Sequence, residues 1–456
     1  MDYTPHTEKN IREMLDKIGV KNIDDLFSNI PDQIKLKQQL DLPQPLPEPE
    51  LVSHCKELSS INTTLNDKGA RSLVGFIGAG TYQHFIPTVV SQLAGRGEFL
   101  TAYTPYQPEV SQGTLQAVFE FQTFICQLTG MDVANASMYD GASATAEAVL
   151  MAHRILKNRC GVVFALTLHP EYQEVIRTYL SHWESSNFQK IGWTSSGEID
   201  LALLKKALEK EPAAVVIQSP NFFGIIEPLK EALELIHKSG AIAIVVNNNP
   251  TSLGLFEAPG NLGADIVVGE AQAFGNEIGF GGPHVGFFAT KDEFVRTMPG
   301  RLVGETMDNR GQRAFTLTLS TREQHIRRER ATSNICTNQG ICALKASIYL
   351  SLLGKEGLKQ LASLNYSKSE FLKSLLKKEG KISFPFSGTT YNEFVLKLHG
   401  NENETYKKLI KEGFIPGVTL SHWYPELPNH LLINVTEIHP KSELERFTEA
   451  LRRVAT

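Results

Sequence analysis

From about residue 66 to 330 the chain alternates between glycine-punctuated apolar runs and stretches of helical period. Residues 161–166, 213–218, 241–246 and 264–268 are apolar almost throughout, the pattern of strands covered on both faces. Helical stretches at 200–210 and 229–238 lie between them, so the text predicts βαβ units and a mostly parallel sheet. Residues 7–65 are polar and helical in character, broken at 42–49, where four prolines predict an extended strap. Near the other end, an apolar helical stretch at 337–353 closes on Gly354 and reads as a connector. Helix (355–378), strand (391–398), helix (402–412), strand (431–435) and a terminal helix capped near 439–442 follow. The expected organisation is an arm (1–65), a large α/β domain (66–336), a connecting helix (337–354) and a smaller α/β domain (355–456).

Composition narrows the function. The 456 residues are 41% hydrophobic and 21% charged, a globular profile, and their length suits two or three domains. Fifty acidic against 45 basic side chains give a net charge of -5, without the basic face that nucleic acid requires. Five scattered cysteines, the absence of a signal-like start and apolar runs too short to span a bilayer point to a cytoplasmic protein without a membrane partner. Metalloprotease, α/β-hydrolase and P-loop motifs are missing, and no metal ligand set is expected.

Several clusters carry candidate chemistry. Residues 102–113 hold Tyr103, Tyr106, Gln107 and Glu109 in a proline-stiffened turn before a helix of apolar positions Leu115, Val118, Phe121, Ile125 and Leu128. They suit a site lining and a structural corner equally. Gly141, Ser143 and Thr145 open a small-residue helix start that would hold a phosphate, or would serve as a plain cap. The run 75–81 is G-x-x-G-x-G, the wrong order for a dinucleotide fingerprint. The strand ending at 268 leads to a glycine-rich turn at 279–286, with His284 as ligand, acid/base group or structural histidine. Arg322, Arg327, Arg328 and Arg330 could clamp an anionic partner or pair with Glu323 and Glu329 on an exposed helix.

Residues 99–113, 131–137, 220–224, 321–329 and 332–338 together resemble the P-protein family of the glycine cleavage system, glycine dehydrogenase (decarboxylating), across nearly the whole chain. The chain is similar to its N-terminal half, which implies subunit 1 of a split enzyme with the type I fold of pyridoxal-phosphate (PLP) transferases. The resemblance further implies an aminomethyl-transferring oxidoreductase active only with subunit 2, commonly as α2β2. Subunit 2 would hold PLP covalently, and the lipoyl arm of H-protein would accept the aminomethyl group of glycine. Alignment to that fold puts Gln272 where the imine-forming lysine is expected, and Asn247 to Asn249 where an aspartate would face the ring nitrogen. No catalytic residue is then expected in this chain alone. The rival readings are a self-sufficient PLP enzyme using another lysine, and a regulatory or scaffolding homologue.

Overall fold

In the computed structural model, residues 5–38, 40–66, 72–182, 188–378 and 382–454 are described. The chain divides into two compact units, Met1–Asn62 and Thr63–Thr456. In the first, helix Glu8–Ile18 starts on a Thr7/Asn10 capping box and stops on Gly19 in the left-handed region, φ 87°. Leu15 is the one buried side chain among its described residues. The proline strap is extended as far as Pro47, but helix Glu48–Ile61 begins inside the stretch expected to exclude helix. Pro49 lies in its first turn, where a missing N–H costs nothing.

The second unit is built on a seven-stranded sheet. Its strands in chain order are β1 (Val133–Ala134), β2 (Val162–Ala165), β3 (Phe188–Ile191), β4 (Ala214–Gln218), β5 (Ile242–Asn247), β6 (Ile266–Glu270) and β7 (Gly286–Thr290). Their spatial order is β1-β7-β6-β5-β4-β2-β3, parallel from β6 to β3, with β7 antiparallel to both neighbours. Strands β2, β4, β5 and β6 are buried at every position, because helices cover both faces and each face carries its own apolar core. Helix α1 (Gln112–Thr129), which ends on left-handed Gly130, packs into one core, and α2 (Gly141–Ile155) packs into the other through Ala144, Ala146 and Ala148. Helix α3 (Pro170–Tyr179) follows β2.

A four-stranded antiparallel sheet forms from Ile382–Ser383, Glu393–Leu398, His430–Asn434 and Val418–Thr419. Strand Ser72–Gly75, which the sequence places in the large domain, instead pairs in parallel with Phe414–Ile415, and Phe76 packs in the C-terminal core. One helical run, Gly340–Leu376, continues on both sides of a kink at Gly354, φ 57° and ψ -173°.

Candidate active site

Ligands of open α/β sheets gather at the carboxyl ends of the parallel strands. Here those ends bring together Gln218, Asn247 and Glu270, with His169 and Gln272 just beyond them. Gln272 is buried and commits its carboxamide to the chain itself. Its Oε1 accepts from the Tyr82 N–H at 3.0 Å, while Nε2 donates to the Tyr82 and Asn276 carbonyls at 3.1 and 2.8 Å. This clamp holds residues 75–85 across the strand ends. The same segment is gripped by Glu393, which accepts from Ala79 N–H and the Tyr82 hydroxyl, both at 2.7 Å, and by His169, whose Nε2 lies 3.0 Å from the Ala79 carbonyl.

The glycines of the run 75–81 serve that close passage. A Cβ on Gly78 would overlap the Glu393 carboxylate, and one on Gly80 (φ 94°) would come within 3.2 Å of the His169 ring. His169 in turn stacks on Tyr172 (4.9 Å between centroids) and meets Phe222 edge-on at 4.8 Å.

The helix start at Gly141 is likewise filled from within. Asp140 accepts from Ser143 N–H at 2.7 Å, Glu270 accepts from Gly141 N–H at 3.0 Å, and Thr145 donates back to the Gly141 carbonyl. Glu270 also accepts from the Gln272 and Val285 N–H groups. His284 sits beside this group with Nδ1 3.8 Å from Glu270, and its buried Nε2 has no partner.

These residues do not fit PLP. A carboxamide forms no imine. Asn247 has no negative charge to offer a ring nitrogen, and its Nδ2 donates to the Ser219 carbonyl and the Ser252 hydroxyl. A phosphate at Gly141 would meet the carboxylates of Asp140 and Glu270 and the Tyr172 hydroxyl, which a Cβ on Gly141 would overlap.

Burial sets the electrostatics of this network. Loss of water pushes Glu270, Glu393 and Glu227 up to about 7, against hydrogen bonds that pull each back. A carboxyl whose folded value exceeds its unfolded one favours the native state as it takes up its proton, so these three add stability as pH falls through about 7 toward the ordinary carboxyl value of 4.5. Burial lowers the rings of His169, His284 and His439 below 6.5, and their contribution is lost as pH falls below that value. The urea midpoint is therefore expected to rise as pH falls from about 8 to about 6.5, below which histidine protonation opposes the carboxyl gain. A midpoint still climbing from pH 7 to 9 would contradict this balance.

The tyrosine turn lies elsewhere. Tyr103 is 82% exposed and borders a cavity of about 280 Å³ with Phe99, Pro105, Val118, Asn338 and Leu344. The Tyr106 hydroxyl accepts from Arg301 Nη2 at 3.1 Å, and that guanidinium stands 5.4 Å from the Tyr106 ring. Arg301 is buried and also donates to the Cys336 carbonyl at 2.6 Å, with Glu323 3.6 Å from its Nε. It thus ties the tyrosine turn to the segment before the long helix. Gln107 and Glu109 are exposed and do not border the cavity.

The arginine cluster divides in two. Arg322 is buried and donates to the carbonyls of Leu319, Met298 and Gly300, so its guanidinium fixes a turn and is not free to dock a partner. Arg327, Arg328 and Arg330 are exposed on short helical turns, not one continuous helix, and Glu329 pairs with Arg330 at 3.9 Å. Sequence reasoning misses Arg301, His169, Tyr172, Tyr82 and Glu393. Their roles arise from contacts between distant segments, and single positions in the text carry no signal for them.

Comparison with known proteins gives the family. A family described as "Glycine cleavage system P-protein" matches residues 1–451. The probable glycine dehydrogenase (decarboxylating) subunit 1 of Geobacillus thermodenitrificans is 49% identical over 449 residues, 98% of each chain. The protein of that name in Anaeromyxobacter dehalogenans is 48% identical over 99% of this chain and all of its own. Among solved structures, an inhibitor-bound glycine decarboxylase (P-protein) of the glycine cleavage system superposes with TM-score 0.87 at 43% identity over the full length of both chains. A sphingosine-1-phosphate lyase of Burkholderia pseudomallei, 12% identical with TM-score 0.67 over 91% of this chain and 92% of its own, shares the fold alone. The architecture is the type I fold of PLP-dependent enzymes. By family match, full-length identity and fold, the chain belongs to the P-protein family of the glycine cleavage system.

Proposed function

We propose that the chain works as subunit 1 of a heteromeric glycine decarboxylase, in which subunit 2 holds PLP and lipoylated H-protein receives the aminomethyl group of glycine, in an α2β2 complex in the cytoplasm. The observation that carries this reading is Gln272, a carboxamide committed to Tyr82 and Asn276 at the strand end where the fold calls for an amine. The name subunit 1 carried by full-length relatives supports a partner subunit. PLP supplies the electron sink for loss of CO2 when bound in the complex.

The chain's own part is to shape a shared cleft. Tyr103 and Tyr106 reach toward the partner from a turn that Arg301 fixes, and Tyr106 presents a hydroxyl whose orientation that guanidinium sets. Exposed Arg327, Arg328 and Arg330 offer positive charge to an acidic docking partner. We also propose that the second unit works as a large part, a connecting helix and a small C-terminal part, which its separate sheets and cores support.

Glycine-dependent CO2 exchange should be absent with either subunit alone and appear when the two are mixed with H-protein. Exchange by subunit 2 alone at the rate of the mixture would refute the reading. Replacing both tyrosines, Tyr103→Phe and Tyr106→Phe, should lower exchange by about tenfold or more, the size of one or two lost polar contacts. Unchanged turnover and unchanged affinity for H-protein would remove the lining role.

A further inference from the structure

A cleft of about 630 Å³ opens between α2 and the segment 329–335, with α3 at its side, and shares no lining residue with the tyrosine cavity. Its floor carries Glu147, a residue only 2% exposed, whose Oε2 has no hydrogen-bond partner. Burial raises this carboxyl above its ordinary value, against the pull of Arg154 and the Ser333 hydroxyl. Arg154, two turns further along α2, also borders the cleft. Its Nη2 donates to the Thr297 carbonyl at 3.2 Å and comes no nearer to Glu147 Oε2 than 4.0 Å, while its buried Nε has no partner.

That separation is beyond hydrogen-bond reach. A buried carboxylate and a half-buried guanidinium side by side, each with an idle buried polar atom, suffer desolvation without full compensation. A third group that donates to the carboxylate and accepts from the guanidinium would complete both. Tyr139 and Tyr179 line the same cleft.

An ammonium and a carboxylate carried on one carbon match the adjacent charges. An amine alone would leave the Arg154 Nε idle, and a carboxylate alone would face Glu147. We infer that this cleft is a second binding site, for a small α-amino acid held through its ammonium by Glu147 and through its carboxylate by Arg154. The choice of glycine as first probe rests on the function proposed above, but the site is read from the chain's own charges.

Isothermal titration of the full chain, without subunit 2, with glycine, alanine, serine, methylamine and acetate tests this apart from turnover. Saturable binding of at least one amino acid is expected, with methylamine and acetate weaker by about tenfold or more. Glu147→Gln and Arg154→Gln should each weaken that binding by a similar factor, the size of one charged hydrogen bond. Ala331→Trp narrows the cleft from its loop side without touching either charge, and should block binding with the melting curve unchanged, which keeps the test valid if a charge variant fails to fold. No saturable binding of any of the three amino acids would overturn the inference. So would affinity that survives Glu147→Gln or Ala331→Trp, or methylamine binding as tight as that of the amino acids. CO2 exchange by the complex bears on the proposed function alone, so the two can fail separately.

Discussion

Gly269→Ala is expected to leave little folded protein at about 37 °C, because the added methyl group has nowhere to go in a close-packed sheet. Gly269 lies near the carboxyl end of β6, an interior strand, opposite Asn247 of β5 on one side and Phe287 of β7 on the other. A methyl group there would overlap the Asn247 carbonyl oxygen and fall 2.7 Å from both its carbon and the Phe287 Cζ. The carbonyl belongs to the sheet backbone and cannot rotate away, so the strands must separate or the ring must leave the core. Overpacking of this severity exceeds the usual cost of about 1–3 kcal/mol and should reach about 4 kcal/mol or more, a large share of a total stability of about 5–15 kcal/mol. Circular dichroism melts would show it. A midpoint within a few degrees of the parent chain would mean that the sheet yields far more readily than its packing implies.

Gln272→Lys is expected to destabilise the chain without creating a PLP site. The Tyr82 N–H loses its acceptor, and an ammonium replaces a neutral amide in a buried position, which together should cost about 2–4 kcal/mol. The new amine would still lie against Tyr82, and the helix start at Gly141 would still hold the Asp140 and Glu270 carboxylates, which repel a phosphate. Urea denaturation measures the first effect, and absorbance with added PLP before and after borohydride measures the second. A stoichiometric imine band at the substituted position would show that one side chain alone separates this chain from a PLP enzyme.

The readable part of the fold is the part whose burial is uniform. Strands β2, β4, β5 and β6 announce themselves because every residue is covered, so hydrophobicity is continuous. The edge strand β3 does not, since three of its four residues are partly or fully exposed and two are polar. Strand β7 is masked by the glycine-rich run before it, and the hairpin of Leu302–Met307 with Arg313–Thr318 by exposed polar residues at its tip. The pairing of Ser72–Gly75 with Phe414–Ile415 is invisible to a local reading, because the two are more than 300 residues apart and local pattern contains nothing about pairing at that distance.

The site divides along the same line. The placing of Gln272 and Asn247 at strand ends is legible because the apolar runs before them are continuous. The carboxylates that fill the helix start at Gly141 are not, because Glu270 and Gly141 meet only after the sheet has formed. Arg322 illustrates the opposite error: four arginines in eleven residues look like one electrostatic device, yet one of them is a buried turn clamp.

The most direct measurement is to reconstitute the wild-type chain with subunit 2 and PLP, reduce with borohydride, and locate the pyridoxyl-lysine by peptide mass spectrometry. Label confined to subunit 2 is the predicted result. A stoichiometric pyridoxyl-lysine within these 456 residues would contradict it.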